Sequence, residues 1–375
     1  MATSTLRTTT TVQTASPFVV SQHQSSESLL TDLFLAYRTA RANKRNTHSQ
    51  MRFESRLSDN LIDLYDDIAS GRYKVGRSMC FIVRDPVQRE VFAASFRDRV
   101  VHHLLYNWLS PLFESRFIAD SYSCRKEKGT LYGIKRLQDN FLECSKGWTS
   151  PCYVLKLDVS GYFMSIDRHI LYTLVMDGIR DVPSSEHFPK PIVERLLEQV
   201  IFNDPTKGCR IKGRRSDWNG LPPSKSLFFS SPDCGLPIGN LTSQLFSNVF
   251  LSPLDIFVTG TLGIKRYGRY VDDFYLVSPS REELLAAIPE IRRFLSDRLH
   301  LRLHPHKVYL QDARKGVRFL GAVVKPSGLY PSKRFHKGLE ANFARIYDLS
   351  DNEFAIAAVR QSYIGYLSHF NHYDL

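Results

Sequence analysis

The chain has 375 residues, 43% of them hydrophobic, so it is long enough to bury a large core and to form two or three subdomains. Its 50 Lys and Arg residues against 38 Asp and Glu give a formal net charge of +12, which favours a polyanionic partner such as nucleic acid over an acidic small molecule, although a basic surface that serves only solubility would give the same balance. The six cysteines include no C-x-x-C pair, so they indicate neither a zinc site nor a disulfide framework, and no apolar run is long enough to span a bilayer.

The N-terminal segment is rich in Ser and Thr and poor in acidic residues. This composition resembles an organellar transit peptide, but we interpret residues 1–25 as a flexible tail. Reduced thiols fit the cytoplasm best, so we expect a cytoplasmic protein.

Two amphipathic helices are predicted after this tail. The first is capped near Ser28, and the second carries apolar residues from Phe53 to Ile68 and ends at Gly71. The stretch FIVRDPVQREVFAASF then predicts short strands, and RDRVVHHLLYNWLSPLFESRF predicts a helix.

Two later segments place carboxylates at the ends of predicted strands. CYVLKLDVSGYF is a strand that ends at Asp158 and meets Gly161, where the chain can turn, and YGRYVDDFYLV predicts a hairpin whose turn presents Asp272 and Asp273. Adjacent like charges repel and cannot be buried without a compensating partner such as a divalent cation. An Asp-Asp pair that stands alone is more often a solvated turn, so the interpretation depends on the rest of the sequence.

The regions around the hairpin have weaker patterns. Residues 178–230 are rich in Pro, Ser and basic residues and predict an insertion or a nucleic-acid-facing loop region. After the hairpin, Ser280 and Glu283 form a capping-box pattern before a helix that Pro289 is expected to kink or split. LHLRLHPHKVYL then alternates as a strand, and the pattern from Lys333 onward predicts helices.

Asp158, Asp272 and Asp273 are the residue types that a two-metal phosphoryl-transfer site needs. In such a site oxygen ligands hold two divalent ions, one activating the attacking 3′-hydroxyl and the other stabilising the leaving pyrophosphate. Successive residues of a strand face opposite ways, so Asp272 and Asp273 need not be equivalent ligands.

The order of the motifs resembles that of reverse transcriptases. Asp158-x-x-x-x-Phe163 is followed by LPIGNLTSQLFSN, YVDD, a strand ending in HPHK, and FLG at 319–321, so that the resemblance covers most of residues 80–330. It implies an α+β right-hand polymerase fold with fingers, a palm of antiparallel sheet with helices, and a helical thumb. The corresponding ranges are 26–150 for the N-terminal helices and fingers, 151–328 for the palm with an insertion at about 178–230, and 329–375 for the thumb.

The resemblance also implies metal ligands and a substrate. Asp158, Asp272 and Asp273, together with Val159, would hold two Mg²⁺ ions, or Mn²⁺ in their place. Phe163 matches the aromatic residue that lies under the sugar and excludes a ribose 2′-hydroxyl, which implies dNTP substrates, with simple core packing as the alternative.

Three basic residues match further positions of the family. Arg125 and Lys128, in SYSCRKEKGT, match the fingers positions that bind the incoming triphosphate. Lys307 matches a lysine that protonates pyrophosphate as a general acid, with a solvated surface lysine as the alternative. FLG resembles the primer-grip turn, and the basic C-terminal helices resemble a thumb that holds the duplex product by its backbone.

The fourth motif points to a subfamily. Most reverse transcriptases of bacterial and group II intron type carry a Gln-Gly start and a Ser-Pro end there, whereas this chain has Ile238-Gly239 and Ser243-Gln244. This I-G-x-x-x-S-Q form, with LPPSKSLF at 221–228, resembles the reverse transcriptases of diversity-generating retroelements. Ile238 and Gln244, with Arg125, would then lie near the templating pair, where a looser grip lowers fidelity, and Gly239 would be a further substrate-binding residue.

That subfamily implies a function and partners. Its members, encoded by bacteria or phages, copy a template-repeat RNA into cDNA with frequent errors opposite adenines. They work with a small basic accessory protein, usually oligomeric, and with structured RNA beside the template. Two alternatives stay open: a reverse transcriptase of a phage-defence system, and a non-catalytic RNA-binding scaffold, against which the retained carboxylates argue.

Overall fold

The computed structural model describes residues 24–42, 46–84, 87–333, 335, 337–338 and 353–370. Nearly all of the predicted N-terminal tail therefore lies outside the described residues. Within them, no helix combines the length and the apolar character needed to cross a membrane.

The described residues form helices and mainly antiparallel strands. The helices, in chain order, are α1 (Gln24–Arg41), α2 (His48–Glu54), α3 (Leu57–Ala69), α4 (Phe96–Glu114), α5 (Thr130–Cys144), α6 (Tyr162–Ser165), α7 (Arg168–Ile179), α8 (Lys190–Ile201), α9 (Leu241–Ile256), α10 (Arg281–Leu299) and α11 (Glu353–Leu367). The strands are β1 (Met79–Val83), β2 (Arg89–Ala93), β3 (Tyr153–Asp158), β4 (Arg210–Ile211), β5 (Arg266–Tyr270), β6 (Asp273–Ser278), β7 (Tyr309–Asp312), β8 (Val317–Phe319), β9 (Ala322–Lys325) and β10 (Gly328–Pro331).

The strands form three sheets. The central sheet has the order β5-β6-β3-β7 and is antiparallel throughout. A second sheet has the order β2-β1-β4, with β1 and β4 parallel, and a third has the order β10-β9-β8. This α+β arrangement agrees with the predicted fold class.

The central sheet separates two hydrophobic clusters because side chains alternate along its strands. Leu155 and Leu276 face the larger cluster, which contains the apolar faces of α1, α4 and α9. Val154 and Val277 face a smaller cluster with α5 and the β8-β9-β10 sheet. The sheet is thus fixed on both faces, and its strand ends are free to carry polar side chains.

The N-terminal helices differ from the prediction in their boundaries. α1 begins at Gln24, and the Ser28 hydroxyl caps nothing but donates a hydrogen bond to the Glu186 carbonyl oxygen at 2.9 Å. The predicted second helix is two helices, α2 and α3, because Arg56 leaves the helical conformation at φ −137°. Apolar periodicity did not reveal the break because the apolar residues of both helices are buried in the same hydrophobic cluster.

The predicted strand in LHLRLHPHKVYL is wrong as far as Tyr309, where β7 begins. Leu299 ends α10, His300 takes a left-handed conformation at φ 53°, and the chain up to β7 is irregular apart from an isolated bridge between Leu303 and Val159. Leu299, Leu301 and Leu303 are nonetheless all buried, so the alternation reported burial correctly and secondary structure incorrectly.

Two other predictions need partial correction. Pro289 does not split α10, whose N-terminus is capped by the Ser280 hydroxyl as predicted. The reciprocal half of the capping box is replaced, because the Glu283 carboxylate accepts a hydrogen bond from Ser278. The prediction of a loop region for 178–230 is wrong over α8, which buries Val193, Leu196, Leu197 and Ile201.

Candidate active site

The YVDD segment forms a tight hairpin at one end of the central sheet, as the sequence predicted. β5 and β6 pair from Arg266 opposite Val277 to Tyr270 opposite Asp273. The turn therefore consists of Val271 and Asp272, and Asp273 belongs to β6 instead of the turn. Val271 has a φ of 57°, a conformation that is strained for a β-branched residue.

Strand β3 places Asp158 directly opposite Asp273. The two residues are antiparallel partners, so their Cβ atoms are about 4.5–5.5 Å apart and their side chains project from the same face. Asp272 follows Val271 in the adjoining turn. The three predicted carboxylates therefore gather at one end of the sheet.

Burial and repulsion by neighbouring carboxylates make Asp272 and Asp273 costly to ionise. Burial, then the charge of Asp158, raises the pKa of Asp272 to about 6. Burial also raises the pKa of Asp273, against the opposing effect of the Lys156 ammonium group. A cation bound among these groups would stabilise their charged forms.

Two lysines supply part of the compensating charge. Lys307 Nζ donates to Asp158 Oδ2 at 2.9 Å, and Lys156 Nζ lies 3.4 Å from Asp273 Oδ1. Lys307 reaches the site because the His304 N–H, in the same loop, donates to the Asp158 carbonyl oxygen at 2.8 Å. The sequence analysis missed Lys156, although its position two residues before Asp158 on one strand places both on the same face.

The site fits a divalent cation in its donor chemistry. Asp158 Oδ1 is buried and has no hydrogen-bond partner among the residues that the structure describes. Carboxylate oxygens are the ligands that Mg²⁺ and Mn²⁺ prefer. No three acidic, His or Cys side chains of the described ranges lie close enough together to hold a metal in this arrangement. Val159 has a buried, apolar side chain, which leaves only its backbone oxygen as a ligand.

A buried ion pair that the sequence analysis missed supports the turn. The side chains of Arg269 and Asp255 are 0% and 1% exposed, and they form two hydrogen bonds, at 2.7 Å and 2.6 Å. Arg269 Nη1 also donates to the Val271 carbonyl oxygen at 3.0 Å, and Nη2 donates to Ser121 Oγ at 3.3 Å. The guanidinium thus ties the strained turn to α9 and to the segment that precedes α5.

Phe163 lies on α6, immediately after the turn that follows β3. Gly161 ends this turn at φ 55° and precedes α6, and a Cβ there would lie 2.8 Å from the Ser224 carbonyl oxygen, so the position requires glycine. The Phe163 side chain is partly exposed, and its carbonyl oxygen accepts a hydrogen bond from the Leu236 N–H at 2.8 Å.

The fourth motif lies beside Phe163 and against the β1-β2-β4 sheet. Ile238 and Phe163 both pack against a small cluster of Cys80, Phe92, Met164 and Leu227. Gly239 has a φ of 124°, and a Cβ there would lie 2.9 Å from a Val91 methyl group. Gln244 is exposed on the first turn of α9. Ile238 and Phe163 are therefore brought together, whereas Gln244 points to solvent.

The two predicted triphosphate ligands have internal partners in this structure. The Arg125 side chain is 6% exposed and donates to Glu114 Oε1 at 2.8 Å and to the Ile118 and Ser121 carbonyl oxygens. Lys128 donates to the Ala119 carbonyl oxygen. Their predicted contact with a triphosphate would require these bonds to be exchanged.

Comparisons with known proteins agree with this architecture. The reverse transcriptase (RNA-dependent DNA polymerase) family matches residues 88–324. Protein YkfC of Escherichia coli (strain K12) is 24% identical over 302 residues, which cover 72% of this chain and 72% of that protein.

Solved telomerase structures are more distant. An apo telomerase from Candida tropicalis has a TM-score of 0.49 at 11% identity, covering 70% of this chain and 48% of that chain. A telomerase from Candida albicans, in complex with a TWJ fragment of telomeric RNA, has a TM-score of 0.45 at 12% identity, covering 72% and 49%. The chain thus spans about half the length of these telomerase chains.

Proposed function

This chain belongs to the reverse transcriptase (RNA-dependent DNA polymerase) family, and we propose that it copies a dedicated template RNA into cDNA by two-metal nucleotidyl transfer. The observation that carries the proposal is the pairing of Asp158 with Asp273 beside Asp272 in the hairpin turn. A cluster of three carboxylates, in which Asp272 and Asp273 have raised pKa values, is costly to maintain unless it serves binding or catalysis.

The chemistry divides between bound ions and the chain's own residues. Asp158, Asp272, Asp273 and the Val159 backbone oxygen would hold Mg²⁺ or Mn²⁺, which supplies activation of the attacking 3′-hydroxyl and charge stabilisation at the pyrophosphate. Lys307, whose Nζ lies 2.9 Å from Asp158 Oδ2, would give a proton to the departing pyrophosphate.

Substrate selection falls to the apolar cluster beside the carboxylates. The partly exposed ring of Phe163 would lie under the sugar and exclude a 2′-hydroxyl, which makes dNTPs the substrates. Ile238 packs on the same cluster and would contact the templating pair, with Gly239 and Gln244 following it. Arg125 and Lys128 would bind the triphosphate after leaving their internal partners.

We further propose mutagenic copying of a template repeat, with errors concentrated opposite adenines. The support is the I-G-x-x-x-S-Q form of residues 238–244, which resembles that of diversity-generating retroelements. The partners would be the template RNA and its RNA/DNA hybrid, a small basic accessory protein and an oligomeric ribonucleoprotein. The place of action would be the cytoplasm of a bacterium, from a bacterial or phage gene.

The test is to sequence the cDNA that the purified protein makes from its co-purifying RNA with dNTPs and Mg²⁺. An Asp272→Asn and Asp273→Asn variant serves as the control. A product absent from the control and substituted mainly at template adenines supports the proposal. A faithful or repetitive product would instead favour a role in phage defence, and no product under any priming condition would favour a non-catalytic scaffold.

A further inference from the structure

We propose that residues 207–229 form a binding surface for single-stranded RNA beside the active site. This "207–229 surface" combines exposed basic side chains with two exposed aromatic rings. The inference rests on the proposed function, because it names where the template RNA is bound outside the primer hybrid.

The charge of the surface favours a polyanion. Its basic residues are Lys207, Arg210, Lys212, Arg214, Arg215 and Lys225, and all six are exposed. Its one acidic residue, Asp217, is paired with Arg84 at 2.9 Å. Six positive charges against one negative charge give this short segment a net charge of +5, which attracts RNA phosphates.

The aromatic residues favour bases over phosphates alone. Phe229 is 70% exposed and Phe228 is 43% exposed, whereas the preceding Leu227 is buried. Two successive exposed phenylalanines add nothing to the electrostatic attraction of phosphates, because their rings carry no charge. Unpaired bases stack on such rings, and they do so with any sequence.

The rings are presented from a rigid support. The Glu90 carboxylate, which is fully buried, accepts hydrogen bonds from Trp218 Nε1 at 2.6 Å, Ser226 Oγ at 2.8 Å and the Leu227 N–H at 2.6 Å. These bonds fasten both ends of the segment 218–227 to β2. A platform held in this way loses little conformational entropy when a ligand binds.

The surface adjoins the proposed active site. Ser224 lies against Gly161, where an added Cβ would be 2.8 Å from the Ser224 carbonyl oxygen, and Leu227 belongs to the cluster that contacts Phe163 and Ile238. An RNA strand that leaves or enters the site beside Phe163 can therefore continue across the Phe228 and Phe229 rings.

The occupant is single-stranded RNA and not a duplex. In a duplex the bases are stacked on one another and protein contacts are made to the backbone and minor groove, so exposed phenylalanine rings gain nothing. The 207–229 surface therefore predicts a preference for unpaired RNA, which a surface of positive charge alone does not.

The experiment measures binding of the full-length protein to a fluorescent 15-nucleotide unstructured RNA and to a duplex of the same length by anisotropy over a range of salt concentrations. Phe228→Ser with Phe229→Ser is expected to weaken binding to the single strand about 10- to 100-fold and to leave duplex binding unchanged. Lys212→Gln with Arg214→Gln and Arg215→Gln is expected to weaken both and to reduce the salt dependence.

Matched controls separate this surface from general effects. Phe34→Ser removes a phenylalanine of similar exposure (46%) on α1, and Arg292→Gln with Arg293→Gln removes exposed charge on α10; both are expected to leave RNA affinity unchanged. Circular dichroism spectra and melting curves verify that each variant is folded.

Three outcomes would overturn the proposal. The first two are wild-type affinity in both the aromatic and the basic variant, and equal loss of single-strand and duplex binding in the aromatic variant. Loss of a bound protein partner with RNA binding intact would also overturn it and mark a protein interface. Asp272→Asn keeps the two proposals apart, because it should abolish synthesis while RNA affinity persists. An RNA-binding wild type that makes no cDNA would contradict only the polymerase proposal.

Discussion

Arg269 and Asp255 form a fully buried ion pair that holds the hairpin turn carrying Asp272. The pair joins α9 to β5, and Tyr267 adds a hydrogen bond to Asp255 Oδ1 at 2.7 Å. Because Arg269 also bonds the carbonyl oxygen of Val271, whose φ is 57°, the guanidinium stabilises a backbone conformation that this residue type disfavours. Arg269 is therefore a positioning residue for the neighbouring carboxylates.

Replacing Arg269 should affect both stability and turnover. Arg269→Met leaves the Asp255 charge buried and unpaired, so we expect the free energy of unfolding to fall by about 3–5 kcal/mol. Arg269→Met with Asp255→Asn removes both charges and should recover most of that stability. We expect the kcat of the double variant to stay at least about tenfold below that of the wild type, with little change in KM for dNTP. The reason is that the double variant still lacks the bond from Arg269 to the Val271 carbonyl oxygen. Urea unfolding and steady-state incorporation measure the two effects, and a double variant with wild-type kcat would show that the pair serves stability alone.

Removing a carboxylate of the site should abolish synthesis without unfolding the protein. Metal-ion stabilisation is worth several kcal/mol and each 1.4 kcal/mol is tenfold in rate, so Asp158→Asn, Asp272→Asn or Asp273→Asn should each reduce incorporation by about 1,000-fold or more. Stability of the metal-free protein should be unchanged or higher, because a repelling charge is lost. Incorporation assays, Mg²⁺ calorimetry and melting curves test this, with the exposed Asp297→Asn as control. Substantial incorporation by all three variants would contradict it.

The sequence predicted the parts of the site that depend on local pattern. Alternation predicted that β3 ends at Asp158 and that a hairpin presents Asp272, because strand faces and tight turns are properties of a few adjacent residues. Asp273, which was predicted to lie in the turn, is the first residue of β6. Lys156 was accessible to the same reasoning and was overlooked.

Tertiary pairing explains what the sequence could not supply. Asp255 lies in the last turn of α9 and Arg269 lies on β5, so only the packing of α9 against the sheet brings them together. Arg125 has the chemistry of a phosphate ligand, but in this structure it donates its hydrogen bonds to Glu114 and to two backbone carbonyl oxygens. Leu299, Leu301 and Leu303 are buried at alternate positions, which is the pattern of a strand. Here the pattern arises because the chain leaves α10 through the left-handed His300.

Shortening Phe163 should admit ribonucleotides. Phe163→Val removes most of a partly exposed ring, so we expect the ratio of dNTP to rNTP incorporation to fall about 10- to 100-fold with little loss of stability. The matched control is Phe294→Val, because the Phe294 ring is also partly buried and packs against the same larger hydrophobic cluster, outside the site. Competition between paired dNTP and rNTP substrates gives the ratio. An unchanged ratio in the Phe163 variant would mean that the ring only packs against its neighbours.

Changing Ile238 should raise fidelity opposite adenine. Ile238→Gln introduces the glutamine with which this motif begins in most reverse transcriptases of bacterial and group II intron type. The hydrogen bond that the Ile238 carbonyl oxygen accepts from the Phe92 N–H at 2.8 Å does not depend on the side chain. We expect the error rate at template adenines to fall several-fold while errors at other bases change less. Deep sequencing of cDNA from one template provides the measurement. A uniform change at all four bases would contradict a specific role for Ile238.

Acidification should destabilise the protein through His102. This buried ring hydrogen-bonds Thr242 of the fourth motif at 2.8 Å, and burial, then the charges of His103 and Arg99, lowers its pKa to about 3. The unfolded chain takes up a proton below about pH 6.5 whereas the folded protein does not, so this contribution to stability is complete above pH 6.5 and is lost as the pH falls. Between pH 6.5 and 5 we expect the free energy of unfolding of the wild type to fall by about 2 kcal/mol through this group. His102→Asn should abolish this fall, whereas His187→Asn, at a side chain that is 84% exposed, should leave it unchanged. Urea unfolding across this range tests the prediction, and an equal pH slope in wild type and His102→Asn would contradict it.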